Sequence, residues 1–370
     1  MEMSNQYSTW VEIDLGAIEN NVRYVYDLAS VEVMAIVKAN GYGHGALPVA
    51  QAALRGGATW CGVARIEEAL ELRQAGLDCP ILLLGYTPTE RISEAIKNRI
   101  SMTVWNYPQV EMACAQAKKN GASALLHLKV DTGMGRLGVL PQEAIPLAKE
   151  ISNTPGVILE GLFTHFARAD ELDSTTSERQ EEIFRGLILK FEKMGLRPPI
   201  VHAANSAISL TRPSAYFNMV RFGIAMYGLH PSPDCPTPEE IRPALTWKSV
   251  LSLVKTLPPG SGVSYGHEYI TQSNERVGTI PVGYADGFRR TSGNYVLVAG
   301  HPVPVIGRVC MDQIMVQLDE APQARAGDTV IILGEQGENR ITAEDIAKTW
   351  NTINYEVVCA IGARVPRINV

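Results

Sequence analysis

An apolar, β-branched run, VEVMAIV from Val31, ends on Lys38 and breaks at once into Gly41, Gly43 and Gly45. An amine beside such a run is partly desolvated, which lowers its pKa and suits it to forming a Schiff base with a carbonyl. The glycines let the backbone turn closely around whatever the amine holds. Further along, Lys129 and Asp131, His165, Asn205 and Ser206, and Arg221 each stand in or just after another apolar run. Taken singly, His165 reads equally as a packed core histidine and Arg221 as a salt-bridged strand end. Taken together, they form a set that one cavity mouth would gather.

Positioning them is the task of the elements. Apolar runs recur as VEVMAIV at 31, WCGVA at 60, ILLLG at 81, SMTVW at 101, ALLHLKV at 124, ILEGLFTHF at 158, IVHAA at 200 and NMVRFG at 218. Continuous apolar runs of this length suit strands covered on both faces. Between them lie amphipathic stretches such as IEEALELRQAG and QEAIPLAKEIS, apolar at three- and four-residue spacings. Eight strand-then-helix units predict an α/β fold, an N-terminal (β/α)8 TIM barrel, whose active-site residues gather at the carboxyl ends of the strands. A doubly wound sheet is the alternative. After Leu229 the texture changes: HPSPDCPTPEEIRP reads as a linker, because proline neither continues helices nor pairs within central strands. WKSVLSLVKTL, VGTIPVGYADG, YVLVAGHPVPVIGRVC, IMVQL and DTVIILG then read as strands of a mainly-β C-terminal domain. The expected domains are 1–235 and 236–370, with residues 1–14, which include WVEIDL, as a segment able to pack with the second.

Composition narrows the class. At 370 residues, 46% of them hydrophobic and 19% charged, the chain has material for two folded domains. A net charge of −6 gives no electrostatic reason to expect nucleic acid or an anionic membrane surface, so a small molecule is the expected ligand. No leader-like start and no long uncharged apolar stretch is read in it, which predicts a cytoplasmic protein. Six cysteines, at 61, 79, 114, 235, 310 and 359, lack the spacing of a zinc site or a disulfide framework, so no metal is expected.

VMAIVKANGYGHG, with Tyr42 and His44 in place, resembles the pyridoxal phosphate attachment segment of the alanine racemases. LKVDTGMGRLG, GLFTHFARAD, HAANSAI, VRFGIAMYG, GVSYGH, VGYADG, GRVCMDQ and INYEV are similar to further motifs of that family, in order and along essentially the whole chain. The resemblance implies that Lys38 carries pyridoxal 5′-phosphate as an internal aldimine. It assigns the phosphate to Tyr42, Ser206, the backbone amides of Gly223 and Ile224, and Tyr355, with His165 and Asn205 beside the cofactor. It also implies an obligate homodimer, since Tyr265 and the Met311 amide reach the partner's site while Arg136 holds the substrate carboxylate from the barrel side. Tyr284, Cys310 and Asp312 would line the entrance, and Lys129 matches a lysine that is carbamylated in many relatives and orients the arginine matching Arg136.

Residue chemistry supports that assignment. By resemblance Arg221 faces the pyridine nitrogen; arginine keeps its proton, so it would donate a hydrogen bond without protonating the ring, which weakens the cofactor as an electron sink and favours return of a proton to Cα over transamination. Racemisation needs a base on each face of Cα; by resemblance these are Lys38 and Tyr265. A phenol serves as a base near neutrality only with cationic or hydrogen-bonding neighbours, a relay expected from His165 and Arg221. The implied activity is interconversion of L- and D-alanine for peptidoglycan. A serine or broad-specificity racemase and a non-catalytic pyridoxal phosphate carrier are the rival readings; Tyr355 argues against the first, Tyr265 and the β-rich domain against the second. Arg221 disfavours a decarboxylase.

Overall fold

The computed structural model describes residues 6–370 and divides into two compact units: Gly16–Gly41 with Gly45–Pro243, and the chain up to Leu15 with Tyr42–His44 and Ala244–Val370. The first holds eight strands: β2 (Glu32–Ile36), β3 (Trp60–Val63), β4 (Ile81–Leu83), β5 (Ile100–Val104), β6 (Ala124–Lys129), β7 (Val157–Phe163), β8 (Ile200–His202) and β9 (Met219–Phe222). They pair in sequence order, and the parallel pairing of Val33 with Val220 closes the barrel. Their residues are almost all buried, as strands enclosed by helices on one side and by each other on the other must be. Each starts within one residue of the run that predicts it. Helices such as Ala46–Arg55, Ile66–Gln74 and Tyr107–Asn120 cover the outside. Local chemistry ends them: the Asn106 side chain accepts from the Gln109 amide at the start of the last of these, and Gly121, at φ 63, closes it.

The second unit is built on a long antiparallel sheet. Its strands are β1 (Thr9–Ile13), β10 (Leu245–Val250), β11 (Leu253–Leu257), β14 (Glu275–Ile280), β15 (Tyr295–Val298), β16 (His301–Ile306), β17 (Ile314–Gln317), β18 (Thr329–Gln336) and β20 (Arg367–Asn369). Short pieces β12 (Gly262–Val263) and β13 (Tyr269–Ile270) pair with one another, and β19 (Asn339–Ile341) pairs with β18. The order is β11-β14-β17-β16-β15-β18-β10-β1-β20. β1 pairs antiparallel with β10 and parallel with β20. Two runs read as single strands are each two. WKSVLSLVKTL breaks at Leu251 and Ser252, whose amides donate to Asp328 and Thr279, so β10 and β11 take different partners. YVLVAGHPVPVI folds at Ala299–Gly300 into the β15–β16 hairpin. Buried Trp247 and Trp350 pack edge-on to Phe288 at 6.2 and 6.1 Å. Among the described residues, no helix is long and apolar enough to cross a membrane.

Candidate functional site

Lys38 follows β2 by two residues and opens an unusual turn: Ala39, Asn40, Gly41 and Tyr42 all have left-handed torsions, with φ of 53, 53, 61 and 50°. Such a run costs roughly 1–2 kcal/mol for each non-glycine residue, and strain of this kind persists only where surroundings hold it. Within the barrel unit, Glu68 accepts from the Ala39 amide at 2.6 Å, and the Asn40 side chain accepts from Ala46 at 3.0 Å. Glu68 also takes the Ala64 and Arg65 amides at 2.8 and 3.0 Å, so one carboxylate ties the Lys38 turn to the loop after β3. Tyr227 donates its hydroxyl to Ile36 O at 2.9 Å, fixing the strand end from below.

Around the same end of the barrel stand Lys129, Arg136, His165 and Arg221. Asp131 accepts from the amides of Gly133, Met134 and Gly135 at 2.9, 2.8 and 3.1 Å, folding the loop that carries Arg136. Lys129, last residue of β6, is buried with Nζ 5.4 Å from the Phe163 ring centre. Burial first, then the charges of Arg221 and Arg136, push its pKa down to about 8. Burial and Arg136 likewise lower Arg221 to about 9, which leaves it charged at neutral pH. Arg221 donates through Nη2 to His165 Nδ1 at 3.0 Å and to the carbonyls of Thr164 and Ala203 at 3.0 and 2.8 Å. His165 is held well below its ordinary range by burial and by Arg221, Lys129, Arg136 and Lys38, so it is neutral, accepting at Nδ1 and carrying its proton on Nε2. A concentration of cations with neutral hydrogen-bonding groups is a site for an anionic ligand.

After β8, Asn205 caps the helix Ser206–Thr211 by accepting from Ile208 at 3.1 Å. Ser206 Oγ accepts from the Gly223 amide at 2.9 Å and the Ala225 amide at 3.4 Å, so its own proton remains to be donated. Ile224 begins the short turn that follows β9 and is buried.

In the other unit, Tyr42 and Tyr355 stand with ring centres 6.2 Å apart, and burial followed by the charge of an ionised Tyr355 raises the Tyr42 pKa. Tyr42 therefore serves as a neutral donor. Tyr265, Cys310, Met311 and Asp312 share one groove of about 940 Å³. Tyr265 lies 69% exposed on the turn Tyr265–His267, entered through Ser264 at φ 64°. Ser264 donates to Arg308 O at 2.6 Å and touches Cys310 Sγ at 3.3 Å, joining the Tyr265 turn to the loop of Met311. Tyr284 and Ala285 donate their amides to the carbonyls of Cys310 and Met311 at 3.1 and 3.0 Å. A Cβ at Gly283 would fall 2.3 Å from the Met311 oxygen, so that approach requires glycine. Asp312 pairs with Arg364 at 2.6 Å, and the same guanidinium forks onto buried Asp286 at 2.6 and 3.0 Å.

Sequence reasoning passes over Glu68, Arg364, and the side chains His127, Glu160 and His202. A signal existed for two of them: Glu68 stands three residues after Arg65 at a helix start, as an N-terminal capping glutamate does, and Glu160 is a lone carboxylate inside an apolar run.

The sequence profile of "Alanine racemase, N-terminal domain" matches residues 13–231, and that of "Alanine racemase, C-terminal domain" matches residues 244–369. The chain is 44% identical to the alanine racemase of Desulfovibrio desulfuricans, across 98% of both chains. It is similar to the solved alanine racemase of Clostridium difficile, with TM-score 0.94 and 40% identity over 99% of this chain and 96% of that one. It is also similar to the alanine racemase of Bacillus anthracis solved with bound L-Ala-P, with TM-score 0.92 and 40% identity over 98% and 95% of the two chains.

Proposed function

This chain belongs to the alanine racemase family of isomerases, and we propose that it interconverts L- and D-alanine with pyridoxal 5′-phosphate, as a cytoplasmic homodimer that supplies D-alanine for peptidoglycan. Arg221 carries the reading. A buried guanidinium, rather than a carboxylate, stands among Lys38, Lys129 and His165, where it donates hydrogen bonds, keeps its proton and would face the cofactor's ring nitrogen.

The donor set fits a phosphorylated pyridine aldehyde: an amine on a constrained turn, a hydroxyl with its proton to donate at Ser206, and the adjacent phenols of Tyr42 and Tyr355. When bound, pyridoxal phosphate withdraws electrons from Cα of an amino acid condensed with it and so acidifies that C–H bond. Lys38 would hold the cofactor through Nζ, and its free amine would move the proton at one face of Cα. Tyr265 moves it at the other, with His165 and Arg221 as its relay. Ser206, Gly223, Ile224, Tyr42 and Tyr355 hold the phosphate; Asn205 orients Ser206 by capping its helix. Arg136, oriented by a carbamate on Lys129, and the Met311 amide hold the substrate carboxylate. Tyr284, Cys310 and Asp312 line the entrance. The homodimer is supported by Tyr265 and Met311, which lie 69% and 53% exposed on one groove, as side chains destined for a second copy would be.

The test is racemisation of alanine and serine measured side by side, followed by borohydride reduction and peptide mapping. Alanine turnover in both directions and cofactor fixed on Lys38 are expected. Label on Lys129, or no racemisation by cofactor-loaded protein, would overturn the assignment. In D2O, Tyr265→Phe should lose racemisation by ~10²–10⁴-fold yet retain more α-hydrogen exchange with D-alanine than with L-alanine. Equal exchange of both enantiomers would remove the two-base scheme.

A further inference from the structure

A hydrogen-bonded chain crosses the barrel interior away from the mouth. Arg221 Nη1 lies 3.0 Å from His202 Nδ1, His202 Nε2 lies 3.0 Å from His127 Nδ1, and His127 Nε2 lies 3.2 Å from Glu160 Oε2. Ser101 donates to the same carboxylate oxygen at 2.5 Å. Five consecutive barrel strands, β5 to β9, thus contribute one side chain each. Both imidazoles are fully buried, Arg221 and Ser101 nearly so, while the Glu160 side chain keeps 18% exposure.

The polarity of this chain is fixed by its ends. A guanidinium only donates, so His202 must accept at Nδ1 and carry its proton on Nε2. His127 then accepts at Nδ1 and donates from Nε2, and only a carboxylate or other acceptor satisfies that end. Both histidines are neutral Nε2–H tautomers in this scheme, and burial with Arg221 nearby holds His202 well below its ordinary pKa, in agreement. The backbone is shaped for the chain as well. The β6–β7 register slips between Leu126 and His127, so that Leu126 faces Leu159, His127 faces Gly161, and Glu160 is the extra residue of a bulge. Bulges of this kind re-aim a side chain. A Cβ at Gly161 would fall 2.2 Å from His127 Nδ1, so the ring occupies space that only glycine leaves. His202 stacks on Phe163 with ring centres 4.6 Å apart and 6° between planes, and Arg221 lies over the same ring at 5.6 Å.

We propose that Glu160 is a positioning residue for Arg221: its carboxylate acts through two tautomer-locked imidazoles as the guanidinium's distant counter-ion and sets its rotation. The proposal rests on the reading above for its catalytic consequence, since that reading puts Arg221 against the cofactor's ring nitrogen. Without the carboxylate, His127 and His202 lose the acceptor that orients them. Arg221 then turns more freely and gives up its proton more readily, which favours transamination over racemisation.

The test uses ¹⁵N-histidine NMR on the full chain, cofactor-free and cofactor-loaded, for the parent, Glu160→Gln and Glu160→Ala. His127 and His202 should both read as neutral Nε2–H tautomers in the parent and in Glu160→Gln, whose amide oxygen still accepts. In Glu160→Ala the tautomers, which Arg221 fixes, should persist, but the His127 Nε2–H should lose its acceptor: its proton resonance should move upfield and exchange faster with solvent. The fraction of turnovers ending in transamination should rise about tenfold in Glu160→Ala and by less in Glu160→Gln, a partition that a loss of stability alone would not move. A parent histidine protonated on Nδ1 or on both nitrogens would overturn the relay, as would Glu160→Ala retaining the parent's His127 Nε2–H resonance and the partition. The predicted tautomers in a chain that fixes no cofactor on Lys38 would support the relay and count against the functional reading alone.

Discussion

Replacing Lys129 tests the electrostatics of the barrel mouth directly. Lys129 is 4% exposed, and burial with Arg221 and Arg136 takes its pKa from 10.5 to about 8. In the unfolded chain the ordinary value returns. Between about pH 8 and 10.5 the unfolded state therefore holds more protons than the folded state, and stability attributable to this residue rises with pH across that window. Below about pH 8 both states are protonated and the full cost of the buried charge is present. The drop from 10.5 to about 8 corresponds to about 3 kcal/mol. Lys129→Met keeps an apolar stem without the charge. In carbon-dioxide-free buffer at pH 7 it should exceed the parent in stability by about 3 kcal/mol, an advantage that fades by about pH 10.5. Bicarbonate should stabilise the parent alone: the neutral amine attacks carbon dioxide, releases a proton, and leaves a carbamate anion beside Arg136 and Arg221. Urea denaturation at several pH values, with and without bicarbonate, measures both effects, and ¹³C-bicarbonate NMR reads the carbamate itself. Parallel stability curves for parent and Lys129→Met from pH 7 to 10.5 without carbon dioxide would refute the buried-charge argument and remove the electrostatic reason for a carbamate.

Glu68→Ala removes the acceptor of three backbone amides and should cost about 2–3 kcal/mol of stability; kcat/KM should fall ~10–100-fold because the turn carrying Lys38 relaxes, and unchanged kinetics with lowered stability would mean the turn holds itself. Arg364→Ala separates Asp312 from Asp286 and frees the loop of Met311, so KM for alanine should rise several-fold with kcat little changed; a pure kcat effect in steady-state kinetics would contradict that role. Mixing Lys38→Ala and Tyr265→Phe subunits should restore part of the activity through dimers with one intact site, and no recovery despite demonstrated subunit exchange would mean each site is built within one chain.

The barrel was legible because strands buried on both faces write themselves as continuous apolar runs: VEVMAIV became β2, WCGVA β3 and IVHAA β8, each in place. The family was legible because short motifs such as VMAIVKANGYGHG persist as strings. Where strands are half exposed and edges vary, the text is weaker, and WKSVLSLVKTL, read as one strand, is two with different partners. The local sequence also offers Lys38 and its glycines but not the left-handed torsions of Ala39 and Asn40, which are held by Glu68, 29 residues away from Ala39. His127 and His202 are 75 residues apart, and Arg364 and Asp286 are 78. Their residue types are ordinary, and each acquires a role only from a partner that the fold brings within hydrogen-bond range. Periodicity records whether a side chain is buried, and a motif records that a position is constrained. Which acceptor meets which donor is decided by register, by a bulge at Glu160 and by the closing of β2 against β9, and these exist only once the chain is folded.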